Sequence, residues 1–154
     1  QARIFSFFNR EIGSHNFQSD KAIDSITSGG FFGKGIGEGT LKNRVPEAHT
    51  DYIISVISEE FGVVAIILIL LLFLIFIYMV FKKISFENND KIKLILIGSI
   101  SLILMQTTIH VGVNIRLFPT TGMTLPFLSY GGSSIVSTSI LAGIILNLTK
   151  RKIS

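Results

Sequence analysis

From Val63 to Phe81 the chain runs 19 residues without a charged side chain, and this run constrains the fold more than anything else in the sequence. At about 1.5 Å per residue, a helix of that length crosses the roughly 30 Å hydrocarbon layer of a bilayer. Inside lipid only a helix or a closed barrel keeps every backbone N–H and C=O bonded, and a continuous apolar run is the helical signature. Leu94–Ile115 forms a second run free of formal charge, and Ser129–Leu148 a third, weaker one with glycines and serines. Apolar residues make up 48% of the 154, and there is no Cys or Trp. The expectation is an all-α, polytopic membrane helix bundle rather than a soluble domain. Three spans are too few to enclose a substrate site, and the chain opens on Gln1, so it reads as the C-terminal piece of a larger membrane protein.

The basic residues orient the spans. Lys82, Lys83, Lys91 and Lys93 lie between the first two, and Lys150, Arg151 and Lys152 follow the third. Two crossings separate the clusters, so they share a side, which the excess of Lys and Arg in short loops makes cytoplasmic. The expected segments are an extracytoplasmic region with the start of a long helix at 1–62, spans at 63–81, 94–115 and 129–148, a cytoplasmic loop at 82–93, an outer loop at 116–128, and a cytoplasmic tail at 149–154. Six basic residues in 1–50 run against this orientation, but long loops translocate largely regardless of charge. Of these, Lys42 and Arg44 stand nearest in sequence to the polar segment discussed next.

Pro46-Glu47-Ala48-His49-Thr50-Asp51 leads straight into the first span. The helical pattern from Asp51 to Phe81 is about 46 Å long, more than a bilayer needs, so its first turns stand outside the hydrocarbon or inside a polar bundle. At 100° per residue Asp51, Ser55, Ser58 and Gly62 form one stripe, with Glu59 at its edge. Such a face suits a close helix contact or the wall of a hydrated cavity. Thr50 or Asp51 as a helix cap accounts for the carboxylate as well as catalysis does.

Upstream, the 20–28 segment has helical spacing, with Ile23 and Ile26 on one face. The 29–39 segment places six glycines in eleven positions. It matches neither Gly-x-x-x-x-Gly-Lys-Ser/Thr nor Gly-x-Gly-x-x-Gly, which leaves turns and close backbone packing near the membrane surface. In the second span Gln106, His110 and Asn114 share a face, with Thr107 beside it; polar groups at that depth face a bundle interior or a cavity. The 117–134 segment, with two prolines, three glycines and several hydroxyls among apolar residues, reads as a structured re-entrant turn. It lies on the same side as Asp51, so both can border one outward-facing cavity. His15, His49 and His110 are scattered and no carboxylate pair stands at ligand spacing, so no dedicated metal site is expected.

The segments Pro46–Asp51, Glu59-Glu60-Phe61-Gly62, Pro119-Thr120-Thr121-Gly122 and Leu125–Ser134 together resemble the SEDS family (shape, elongation, division and sporulation) in order, spacing and topology. The glycine-rich 29–39 stretch is similar to a turn in the same family, and the resemblance runs from about Arg3 to the C-terminus. The details look more like division-type (FtsW) than elongation-type (RodA) members. Three positions depart from the family's habits: Thr121 where division-type members often carry Lys, His110 where Asn is usual, and Arg116 where Gly is common. The resemblance implies a ten-span protein of the bacterial cytoplasmic membrane with its C-terminus inside, and a peptidoglycan glycosyltransferase polymerising lipid II on the outer face. It implies Asp51 as the catalytic carboxylate. Glu47, His49, Thr50, Thr121, Ser129, Tyr130 and Ser133, all within the shared motifs, would bind substrate. Lys42, Arg44 and Arg116 are candidates to stabilise the departing undecaprenyl pyrophosphate. A class B penicillin-binding transpeptidase is the implied protein partner, alongside membrane lipids; no nucleic acid, metal or other cofactor is expected. A transporter of the lipid-linked precursor and a non-catalytic scaffold for the transpeptidase are the rival readings.

Overall fold

The computed structural model describes residues 14–40 and 48–150, and the regular elements among them are all helical. They are α1 (Ser14–Gly29), α2 (Ile53–Phe86), α3 (Asp90–Asn114) and α4 (Gly132–Thr149). The last three are each long and apolar enough to cross a membrane. α2 is longer at both ends than the apolar run 63–81, while α3 and α4 cover most of 94–115 and 129–148.

Only residues 87–89 join α2 to α3, so the two run antiparallel. Asn89 starts α3: its side-chain oxygen accepts the Lys91 N–H at 3.0 Å, supplying one of the bonds a helix N-terminus lacks. Val80 of α2, Leu96, Ile100 and Ile103 of α3, and Ile145 of α4 form one apolar core, with Ile84, Ile92 and Leu148 packed at its edge. That packing brings the end of α2, the start of α3 and the end of α4 together. Lys82, Lys83, Lys91, Lys93 and Lys150 therefore sit at one end of the bundle. At the other end Ala22 of α1, Ala48 and Tyr52 of the turn before α2, Val56 of α2 and Val113 of α3 make a second core.

The expected helix from Asp51 to Phe81 is not continuous: α2 starts at Ile53 and is interrupted at Gly62, whose φ of 82° and ψ of 175° are non-helical. Residues with a Cβ rarely adopt a φ in that range. A break near the membrane strands carbonyls before it and N–H groups after it, and both are costly without partners. The glycine-rich turn supplies them. Lys34 and Gly35 donate N–H bonds to the carbonyls of Glu59 (2.8 Å) and Glu60 (3.1 Å). In return the N–H groups of Val63 and Val64 reach the carbonyls of Gly30 (3.0 Å) and Phe31 (3.4 Å). A Cβ on Gly62 would stand 2.1 Å from the Phe31 oxygen, so the docking itself demands glycine. Glu59, 1% exposed, completes the joint by accepting from Lys34 Nζ at 3.0 Å and Thr40 Oγ1 at 3.1 Å. The expected polar stripe is thus a buried face: Asp51, Ser55, Ser58, Glu59 and Gly62 are all buried.

Candidate functional site

At the end of the bundle away from the lysines, three consecutive carbonyls of the polar segment are each held by other groups. The His49 carbonyl accepts the Tyr130 N–H at 3.0 Å. The Thr50 carbonyl accepts Ser129 Oγ–H at 2.8 Å and lies 3.2 Å from His110 Nε2. The Asp51 carbonyl accepts from Asn114 Nδ2 at 2.9 Å. A ring nitrogen can bond a carbonyl only by donating, so His110 carries a proton on Nε2. Two tertiary elements therefore fix this turn: the end of α3, through His110 and Asn114, and the re-entrant loop, through Ser129 and Tyr130.

The loop is itself braced for that purpose. Ser129 Oγ also accepts the Leu125 N–H at 2.8 Å, and the Ser129 N–H donates to the Leu125 carbonyl at 3.1 Å. Leu125, Pro126 and Ser129 are buried, so the part of the loop that meets the Thr50 turn is packed against protein, while Phe127, Leu128 and Tyr130 are exposed. The loop leaves α3 through a tight turn in which Leu117 N–H bonds the Gly112 carbonyl at 2.7 Å and Phe118 lies over Gly112. Arg116 occupies this turn at φ 62°, a left-handed conformation that favours glycine.

Asp51 is 6% exposed. It falls in the chain between His49 and Ile53, which together with Leu128 and Tyr130 line a pocket of about 410 Å³. Asp51 is not itself among the lining residues; its carboxylate is buried on a fixed backbone, which gives the two attributes a general base needs, defined position and removal from water. The cap position of α2 falls at Tyr52, whose side chain makes no cap bond. The N–H of Ser55, in the first turn, instead donates to Asn114 Oδ1 at 3.2 Å, a cap supplied from another helix.

The remaining candidates are placed as follows. His49 is exposed at the pocket, and Thr50 is half-buried. Tyr130 is fixed by its backbone and leaves its side chain 78% exposed at the pocket. Ser129 is buried and spends its hydroxyl on Thr50 and Leu125. Thr121 and Ser133 are exposed, on the loop and in the first turn of α4. Arg116 pairs with Asp20 of α1. Lys42, Arg44 and Glu47 lie outside the described residues. His110, Asn114 and Ser55 were not among the site residues expected from sequence. Their signal was the spacing of Gln106, His110 and Asn114 on one face of an apolar span, which marked a polar seam without saying what it held.

Comparison with known proteins agrees with the motifs. A family model for FtsW, RodA and SpoVE, described as cell cycle protein, matches residues 1–153. A protein of Enterococcus hirae named "probable peptidoglycan glycosyltransferase FtsW" is 38% identical over 98% of this chain and 39% of its own length. One of the same name from Trichlorobacter lovleyi is 39% identical over 96% of this chain and 39% of its own. A solved structure described as showing structural coordination of polymerization and crosslinking by a peptidoglycan synthase complex superposes with a TM-score of 0.73 at 26% identity, covering 96% of this chain and 40% of that one. The chain thus spans about two fifths of the length of these relatives. With the motifs, the three membrane-length helices and the family match in agreement, the chain belongs to the FtsW, RodA and SpoVE family, the SEDS proteins.

Proposed function

We propose that this chain carries the general base of a peptidoglycan glycosyltransferase that polymerises lipid II on the outer face of the bacterial cytoplasmic membrane during cell division. The observation that supports it most is the fixed turn at His49–Asp51, three carbonyls deep, beside a pocket at the end of the bundle away from its lysines. Asp51 takes the proton from the acceptor's GlcNAc 4-hydroxyl as that oxygen attacks the anomeric carbon of the donor's MurNAc. The bond from that carbon to the pyrophosphate oxygen breaks, and undecaprenyl pyrophosphate leaves with the electron pair. An α-linked donor giving a β-1,4 bond requires inversion, which one displacement with a base opposite the leaving group achieves. Lys42, Arg44 and Arg116 are the basic residues assigned to the leaving pyrophosphate. Glu47, His49, Thr50, Thr121, Tyr130 and Ser133 stay as candidate substrate contacts, and Ser129 contributes through the backbone it holds.

The names of the FtsW relatives support the glycosyltransferase reading, and the synthase-complex neighbour supports a penicillin-binding transpeptidase as partner. Against the transporter, His110 and Asn114 are occupied in backbone bonds, so they do not read as the polar lining of a translocation path. Product analysis tests the proposal. The purified intact protein in detergent, given lipid II and no second polymerase, is expected to yield glycan strands, and its Asp51→Ala form none. Movement of lipid II across vesicles without polymer from the unmutated protein would favour transport instead. Unaltered function of the Asp51→Ala protein in cells would favour the scaffold.

A further inference from the structure

We propose that Asn114 is a positioning residue for the reaction, acting through the backbone on both sides of Asp51; this rests on Asp51 being the base. The Asn114 side chain is fully buried at the last residue of α3. A primary amide has two N–H donors and two acceptor lone pairs, and all four are used here. Nδ2 donates to the carbonyls of Asp51 and His110, both at 2.9 Å. Oδ1 accepts from Ser55 Oγ–H at 2.7 Å and from the Ser55 N–H at 3.2 Å. The partners leave no freedom in the assignment, because a carbonyl only accepts and a backbone N–H only donates. One side chain thereby ties the carbonyl of Asp51 and the first turn of α2, four residues further on, to the end of α3.

Asp51 is consequently held from before and after its Cα. Upstream, Ser129 and His110 hold the Thr50 carbonyl; downstream, Asn114 holds Asp51 and Ser55. The two α3 groups are also coupled to each other. Asn114 Nδ2 donates to the His110 carbonyl at 2.9 Å, and His110 Nε2 in turn holds the Thr50 carbonyl at 3.2 Å. No shorter or purely accepting side chain reproduces this pattern. Aspartate at 114 has nearly the same shape but cannot make the two donations, and it faces two carbonyl oxygens with a charge. Glutamine keeps the amide but adds a methylene in a filled space. Misplacing a reacting group by about 1 Å costs on the order of 100-fold in rate, and that is the scale on which the restraint acts.

The test compares Asn114→Asp, Asn114→Gln and the milder Ser55→Ala in the intact purified protein, measuring lipid II polymerisation and thermal unfolding. The expected result for Asn114→Asp is a kcat about 100-fold lower with KM within about threefold, in protein that still elutes as a single species. Ser55→Ala, which removes one of the four bonds and cannot unfold the bundle by itself, is expected to lower kcat by about three- to tenfold at unchanged KM. A second arm places Ser55→Ala on Asp51→Glu, whose longer side chain has already lost the restrained position. Coupling predicts that the Ser55 effect shrinks to less than about twofold there. The same full loss on Asp51→Glu, or a raised KM at unchanged kcat, overturns the positioning role. Polymerisation by Asp51→Ala at the unmutated rate would instead remove Asp51 as the base, a failure distinguishable from that of the Asn114 proposal.

Discussion

Ser129 illustrates how a hydroxyl near a reaction centre can matter through the chain it holds. Its oxygen serves two backbone groups, the Thr50 carbonyl and the Leu125 N–H, both removed from water. Ser129→Ala therefore leaves Leu125 N–H unpaired and is expected to cost about 1–3 kcal/mol. Thermal unfolding should show the loss, whereas Ser101→Ala, exposed on α3 and bonded only within its own helix, should leave the midpoint in place. Arg116 separates fold from function more sharply. Arg116→Gly removes a left-handed strain worth about 1–2 kcal/mol and forfeits an exposed ion pair with Asp20 worth about 0–1 kcal/mol. Stability should hold or rise; a fall in polymerisation at the same time would mark the guanidinium as a pyrophosphate contact, and unchanged polymerisation would free it of that role. At this scale the sequence was legible in its chemistry and silent on its partners. The Pro46–Asp51 and Leu125–Ser134 motifs named two segments that the structure brings together. Nothing in either could show that Ser129 meets the Thr50 carbonyl, a pairing 79 positions apart in the chain.

The element that most repays attention is α2, because its break is built from two distant segments. Gly62 permits the non-helical turn, and the 30–35 backbone supplies the four bonds that the helix gives up there. Gly62→Ala combines a forbidden φ with a 2.1 Å approach to the Phe31 oxygen, so the glycine-rich turn cannot dock as it stands. Strain and lost hydrogen bonds together amount to about 3 kcal/mol or more. Limited proteolysis should then cut the glycine-rich turn. Gly98→Ala is the control: a Cβ there meets nothing within 4 Å, and helix propensity favours it by about 1 kcal/mol. Equal protease resistance of Gly62→Ala and the unmutated protein would contradict the docked break. Periodicity located α2 and its buried stripe correctly but carried no sign of the interruption. The apolar spacing continues smoothly across Gly62, and the hydrogen bonds that replace the lost helical ones come from backbone atoms, which leave no residue-type signature.

For the whole molecule, the apolar runs dictated three membrane-length helices, and the helix order sets the lysines of residues 82–93 and Lys150 at one end and the Asp51 turn at the other. Single cysteine replacements in a cysteine-free background of the intact protein make the orientation measurable. A cysteine at Asn88 should react only after the membrane is opened, and one at Met123 should react with an impermeant reagent added to intact cells. The reverse pattern would place Asp51 on the cytoplasmic side and remove it from lipid II polymerisation. Both ends of the bundle have their own apolar core, and the one at the Asp51 end joins α1, the Asp51 turn, α2 and α3, so the site is rigid because four segments meet there. The central claim is that this rigidity serves proton transfer to Asp51. Asp51→Asn tests it most directly, since the amide keeps the shape and the backbone restraints but cannot take the proton. Polymerisation of lipid II by the purified protein is predicted to fall by about 100-fold or more with the unfolding midpoint unchanged. Glycan synthesis at the unmutated rate by the folded Asp51→Asn protein would contradict the account.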